Sequence, residues 1–103
     1  MPAYVVMTRT RTRDEEQLAL YTKQAPVFLA GHPATFLTLF GRCEVREGAA
    51  VEGVAIIQFP TFAEARAWYE SPAYQEAVQH RFLGGDHNVV IIEGAVPRPS
   101  ESP

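Results

Sequence analysis

From Gln58 to Tyr74 the chain leaves its backbone little freedom. Pro60 has no N–H to give to a sheet ladder, so the apolar run ending at Phe59 stops there as a strand. Thr61 and Glu64 stand three residues apart ahead of an apolar stripe, the capping-box spacing of a helix N-terminus. Ser71 then offers a second N-cap, and Pro72 falls at the first helical position, where a missing donor does no harm. Strand, helix, break and helix are predicted within 17 residues.

The rest of the chain arranges itself around that core. Ala3 to Met7 is apolar and β-favouring, and Thr8 to Arg13 alternates hydroxyl and guanidinium, the period-two pattern of a strand whose far end reaches water. That period puts Arg9, Arg11 and Arg13 on one face, as a solvated strand end or an anion-attracting strip. Thr12 or Asp14 starts a helix with Glu15 and Glu16 in its first turn. Leu18, Tyr21, Ala25, Phe28 and Leu29 form its apolar stripe, and Pro26 is expected to kink or shorten it. Thr35 to Phe40 and Glu44 to Glu47 read as one strand or two, interrupted near Gly41. Residues 47 to 53 make a hairpin loop, and Val54 to Phe59 is the next strand. Gly84-Gly85 is read as a helix stop. The last strand runs from about Asn88 to Glu93. Residues 1–94 form a single domain in this reading, and residues 95–103 a flexible Pro/Ser-rich tail.

The order β-α-β-β-α-β is the split βαβ, ferredoxin-like arrangement: α+β, an antiparallel sheet with its helices on one face. Such a sheet should alternate apolar with polar. Phe36 to Phe40, Val54 to Ile57 and Val89 to Ile92 are instead apolar on both faces. Helices cover one face; the other would expose more apolar area than monomers usually tolerate. A second copy packed sheet against sheet about a two-fold axis removes the difficulty, so a homodimer is expected.

The 103 residues allow one domain, and 47% apolar content supplies a core. A formal charge of −3 argues against nucleic-acid and membrane-surface roles, which call for a basic excess. The one cysteine, Cys43, has no disulfide partner in the chain. No run approaches the roughly 20 apolar residues of a membrane span, and the N-terminus lacks the pattern of a secretory signal. A cytoplasmic location is the expectation.

The run from Phe59 to Gln75 resembles the signature EFPS-x-x-x-A-x-x-W-Y-x-S-P-x-Y of the DUF1330 family, within the dimeric α+β barrel superfamily. The likeness extends back to Ala3–Val6 and Tyr21, and forward through Arg81 and Asp86 to the closing stretch from Val89 to Gly94. Gln58 stands where the family usually has glutamate, Arg9 and Arg11 replace apolar strand positions, and His32-Pro33-Ala34 replaces a glycine-rich turn. The resemblance implies a homodimeric barrel, with any ligand lying between sheet and helices or near the barrel's open end.

Few polar groups can face such a space. Arg81 falls on the apolar stripe of its helix, three residues from Val78 and seven from Tyr74. There it snorkels along its methylenes, pairs internally with Asp86, or recognises a ligand anion. Tyr21 lies on the stripe of the first helix, where the resemblance places a helical tyrosine; its hydroxyl orients a ligand oxygen or anchors to backbone. Trp68, Tyr69 and Tyr74 make core or one wall of an aromatic pocket. His87 stands beside Asp86, but neighbours in a strand point to opposite faces, which weakens an Asp-His proton couple. His32, His80 and His87 show no i, i+4 metal spacing, and Cys43 and Ser71 have no base pattern beside them. No metal and no cofactor are expected.

Three functional readings stand. One is a domain binding a small, anionic or aromatic molecule in a cavity closed by Trp68, Tyr74 and Arg81, with Tyr21, Asp86 and His87 as further candidates. Another, implied by the superfamily, is a cofactor-independent monooxygenase or an isomerase. Haem chemistry would match Trp68 and His80, but Met7, Thr8 and Arg9 occupy the region where it needs an asparagine. The last is an accessory dimerisation module without a ligand.

Overall fold

A computed structural model describes residues 1–95. The elements follow as β1 (Ala3–Thr12), α1 (Glu15–Lys23), α2 (Ala25–Phe28), β2 (Thr35–Leu39), β3 (Gly53–Phe59), α3 (Phe62–Glu70), α4 (Pro72–Gly84) and β4 (Gly85–Glu93). The strands form one sheet in the order β2-β3-β1-β4, every neighbouring pair antiparallel. This is the ferredoxin-like topology that the order of elements demanded. The proline-rich tail expected from residue 95 lies, from residue 96 on, outside the described residues.

The breaks occur where local chemistry places them. The Asp14 carboxylate accepts from the Glu16 and Gln17 amides at 3.0 and 3.3 Å and so caps α1. Thr61 Oγ1 takes the Glu64 amide at 3.1 Å, and Ser71 Oγ takes that of Tyr74 while donating to the Trp68 carbonyl at 2.7 Å. Pro26 divides the expected long helix rather than bending it: α1 ends at Lys23, Gln24 closes onto the Tyr21 carbonyl, and α2 restarts with the proline in its first turn. Gly84-Gly85 marks a helix-to-strand junction without a left-handed residue. Space is the reason for glycine at Gly85, since a Cβ there would lie 2.5 Å from the Arg11 carbonyl oxygen.

Two expectations about strands change. Residues Glu44 to Glu47 are not a strand. Phe40 takes a left-handed φ of 53° and turns the chain off the sheet. Residues 41–50 are then exposed, with Glu44 and Arg46 paired to each other on the surface. Arg9, Arg11 and Arg13 do not share a face. The β1–β4 register pairs Arg9 with His87 but Arg11 with Asp86, leaving Thr10 as a bulge. The extra residue moves Arg11 to the other side of the sheet, and Arg13 lies beyond the end of β1.

The two sheet faces differ sharply. Ala3, Val5, Met7, Ala55, Ile57 and Phe59 point inward and are buried, closed by Phe28, Trp68, Tyr74, Ala77 and Val78 from the helices. The opposite face carries Tyr4, Val6, Val54, Ile56, Val90 and Ile92, which the register groups together. None of the described helices covers it, and Val90 and Ile92 remain 49% and 55% exposed.

Candidate functional site

Between the inner face of the sheet and the α1–α2 segment lies a cavity of about 230 Å3. Its floor comes from β1, β3 and β4, and its roof from Leu18, Tyr21, Thr22, Ala25 and Phe28. The edge strand supplies Phe36 and Leu39, and Phe40 closes the wall where the chain leaves the sheet. The site exists because Pro26 ends α1 early and α2 is a single turn: the second helical pair packs tightly on the sheet, whereas the first leaves space above Ala55 and Ile57.

One end of this apolar space is polar. Arg9 and His87, directly opposed across β1 and β4, both line it. The Arg9 guanidinium stacks 4.5 Å from the Phe40 ring centroid and donates from Nε to Glu52 at 3.1 Å. Glu52 also accepts from the Thr12 amide and hydroxyl, and the hydroxyl's hydrogen bond is the main reason its carboxyl is held below the ordinary carboxylate range. Gly53 makes room for this arrangement, since a Cβ there would meet the Phe40 ring at 2.9 Å.

Arg81 stands behind that end of the cavity, 3% exposed. Its guanidinium carbon is 6.0 Å from the Tyr21 ring centroid and 5.2 Å from that of Phe82. Among the described residues it has no carboxylate partner, and its Nε makes no hydrogen bond. The internal Arg81–Asp86 pair expected from sequence does not form. Asp86 lies on the other face of β4 from His87 and takes the guanidinium of Arg13, which also reaches the Phe82 carbonyl.

The neighbours of Arg81 register its charge. Burial lowers the His87 pKa to about 4, with repulsion from Arg81 and then Arg9 adding to it. The Gly85 carbonyl and Glu52 oppose the shift and lose, so the imidazole is neutral at pH 7. Its buried Nδ1 has no partner among the described residues. Tyr21 and Tyr74 share a hydrogen bond between hydroxyls at 2.8 Å. Burial pushes both phenols upward, and Arg81 pulls against the shift in each.

The sequence candidates therefore divide. Tyr21 and His87 line the cavity, with Arg81 behind them. Trp68 and Tyr74 are 0% exposed in the aromatic core and do not border the space; Tyr74 adjoins it through Tyr21 and Phe28. Asp86 lies away from it. His80 bonds Gln17 at 2.7 Å and ties α4 to α1. Reading the sequence alone missed Phe36, Leu39 and Phe40 as walls. Arg9 was legible as a charge at an apolar strand position, but its burial opposite His87 depends on a register that sequence does not give. Among the described residues, no three His, Cys, Asp or Glu side chains converge as a metal site.

The chain matches DUF1330, described as a domain of unknown function, over residues 2–95 and belongs to that family. None of the curated proteins matches it. Among solved structures it is similar to the RPA0582 protein of unknown function from Rhodopseudomonas palustris. That likeness has a TM-score of 0.68 at 20% identity, over 93% of this chain and 84% of the other. A dimeric ferredoxin-like protein of unknown function from Jannaschia sp. CCS1 gives 0.64 at 17% identity, over 91% and 100%. SnoaB from Streptomyces nogalater, a cofactor-independent oxygenase, gives 0.62 at 13% identity, over 95% and 97%. At these identities the likeness is one of fold.

A buried arginine with no counterion among the described residues should burden folding. Arg81→Met is expected to leave stability unchanged or raise it by up to about 4 kcal/mol, measured by urea unfolding. A loss of about 3–5 kcal/mol would show that the guanidinium closes a structural network instead.

Proposed function

We propose that this protein is a homodimeric binding protein for a small, largely apolar organic acid. The ligand lies between the inner sheet face and the α1–α2 segment, its acid group at Arg9 and His87. The observation that carries this reading is the buried Arg81, which has no carboxylate partner among the described residues. Together with Arg9 it leaves one end of an apolar cavity positive, and Glu52, the carboxylate nearest that end, is itself exposed. A buried charge that no described carboxylate answers is costly to folding, and a ligand anion beside it offsets part of that cost.

The volume of about 230 Å3 lies below the roughly 300–1,000 Å3 of drug-sized sites, so the acid is small: one ring or a short branched chain. An empty layer of this size also favours binding over an accessory module, whose helices need only pack. Turnover of the acid by a cofactor-independent oxygenase or isomerase is the second reading. It draws on one observation, a neutral imidazole in the cavity wall.

The second copy covers the outer sheet face, where Val6, Val54, Ile56, Val90 and Ile92 form an apolar surface that none of the described helices shields. Face-to-face packing of two such sheets buries these residues and leaves both cavities intact, because each lies on the opposite side of its own sheet.

Phenylacetate and benzoate are expected to raise the melting temperature of the wild-type protein, with phenylacetamide, the uncharged counterpart, doing so far less. At ligand tenfold above Kd the gain is about 1.4 kcal/mol, or roughly 5 °C or more for a domain this size. Arg9→Gln is expected to abolish the difference between acid and amide. Equal shifts for acid and amide, or none for either, would refute the acid site. Sedimentation equilibrium is expected to give twice the 11.4 kDa of one chain; a single-chain mass at micromolar concentration would remove the homodimer.

A further inference from the structure

We propose that the cavity takes a monocarboxylic acid together with one proton, the ligand binding as its carboxylate and the proton coming to rest on His87. This deepens the reading of the cavity as an organic-acid site and rests on it.

The geometry is a matched set of donors. Arg9 and His87 are direct cross-strand partners on the inner face of the sheet, an arrangement that brings Cβ atoms within about 5 Å. The Nε of Arg9 is held by Glu52 and its plane rests on Phe40, which fixes the fork in position. His87 adds a buried ring nitrogen with no partner among the described residues. One guanidinium edge and one imidazole nitrogen suit the two oxygens of a carboxylate. A phosphate monoester would bring a third oxygen and a second charge to a space whose other walls are apolar, among them Met7, Ala55 and Ile57.

The proton follows from what surrounds the imidazole. Arg81 faces it from α4 and Arg9 from β1; Glu52 contributes from the segment before β3, and the Gly85 carbonyl from β4 itself. Tyr21, on α1, lines the same cavity as a neutral phenol. Asp86 is turned away and occupied by Arg13. With the cavity free of anion, the two guanidinium groups and burial keep His87 neutral down to about pH 4. A carboxylate placed between Arg9 and His87 offsets both guanidinium charges and adds an opposite charge in contact, so it favours the imidazolium.

The bound state then holds one more proton than the free state between about pH 4 and the new, higher pKa. Affinity therefore rises as pH falls through that window, by up to tenfold per pH unit. Glu52 is an unsuitable destination for the proton, because Thr12 and Arg9 favour its ionised form.

Titration calorimetry with phenylacetate tests this, run in two buffers of different ionisation enthalpy at about pH 7.5 and about pH 5.5, a range in which a free carboxylate stays ionised. For the wild-type protein, proton uptake is expected to rise from near zero at the higher pH toward one per ligand at the lower, with affinity increasing about tenfold or more. His87→Gln is expected to bind more weakly, with no proton uptake and little pH dependence. The wild-type proton count needs no variant, so absence of uptake overturns the proposal even if the substitution disturbs folding. Binding that is independent of pH, without proton uptake, would overturn the proton's role and leave the acid site standing. Uptake undiminished in His87→Gln would place the proton elsewhere and overturn it too. Tighter binding of phenyl phosphate would overturn the ligand class, and no binding of phenylacetate at either pH would overturn this inference and the acid site together.

Discussion

A guanidinium kept out of water, with no carboxylate among the described residues to answer it, is the constraint on which the chemistry of this protein turns. Arg81 sits on the stripe of α4 that otherwise buries Tyr74, Ala77 and Val78. Water is excluded there, so its charge is screened weakly and acts on every titratable neighbour. It helps hold His87 neutral and works against the burial that raises Tyr21 and Tyr74. On the proposed reading, its charge serves to draw an anion to one end of an apolar layer.

The fold supplies the layer, and its irregularities supply the space. Two capped helices in immediate succession, α3 and α4, seal the sheet's inner face along β1 and β4 with Trp68 and Tyr74. The other crossover is interrupted at Pro26, giving one short helix and a single turn, and it spans the face near β2 and β3 without filling it. A bulge at Thr10 keeps Arg9 inward and sends Arg11 to the other side. A left-handed Phe40 carries the chain off the sheet and lays its ring under Arg9. Each feature is a departure from regular structure, and each sits at the rim of the cavity, where departures serve to aim side chains.

Most of the architecture was legible in the residues. Thr61, Glu64, Ser71 and Pro72 declare their caps locally, and the apolar runs Val54 to Phe59 and Val89 to Ile92 declare their strands, so the order of elements and the topology follow. The site was only partly legible. Tyr21 and Arg81 stand out as polar groups on apolar stripes, and that signal is local too. The pairing of Arg9 with His87 depends on inter-strand register and on a one-residue bulge, and alternation alone put Arg9, Arg11 and Arg13 together. Asp86 seemed the natural partner of Arg81 by proximity in sequence, yet strand geometry turns it away, toward Arg13. Trp68 and Tyr74 read as core before pocket wall, and the structure places both in the core.

On the reading proposed above, positive charge at Arg9, backed by Arg81, receives a carboxylate in the sheet–helix cavity. A crystal structure with 4-bromophenylacetate tests it most directly, the bromine located by its anomalous signal. The account predicts the carboxylate between Arg9 and His87, with the ring against Phe28, Phe36 and Leu39. A cavity left empty while the acid binds elsewhere, or a ligand whose carboxylate points away from Arg9, would contradict it.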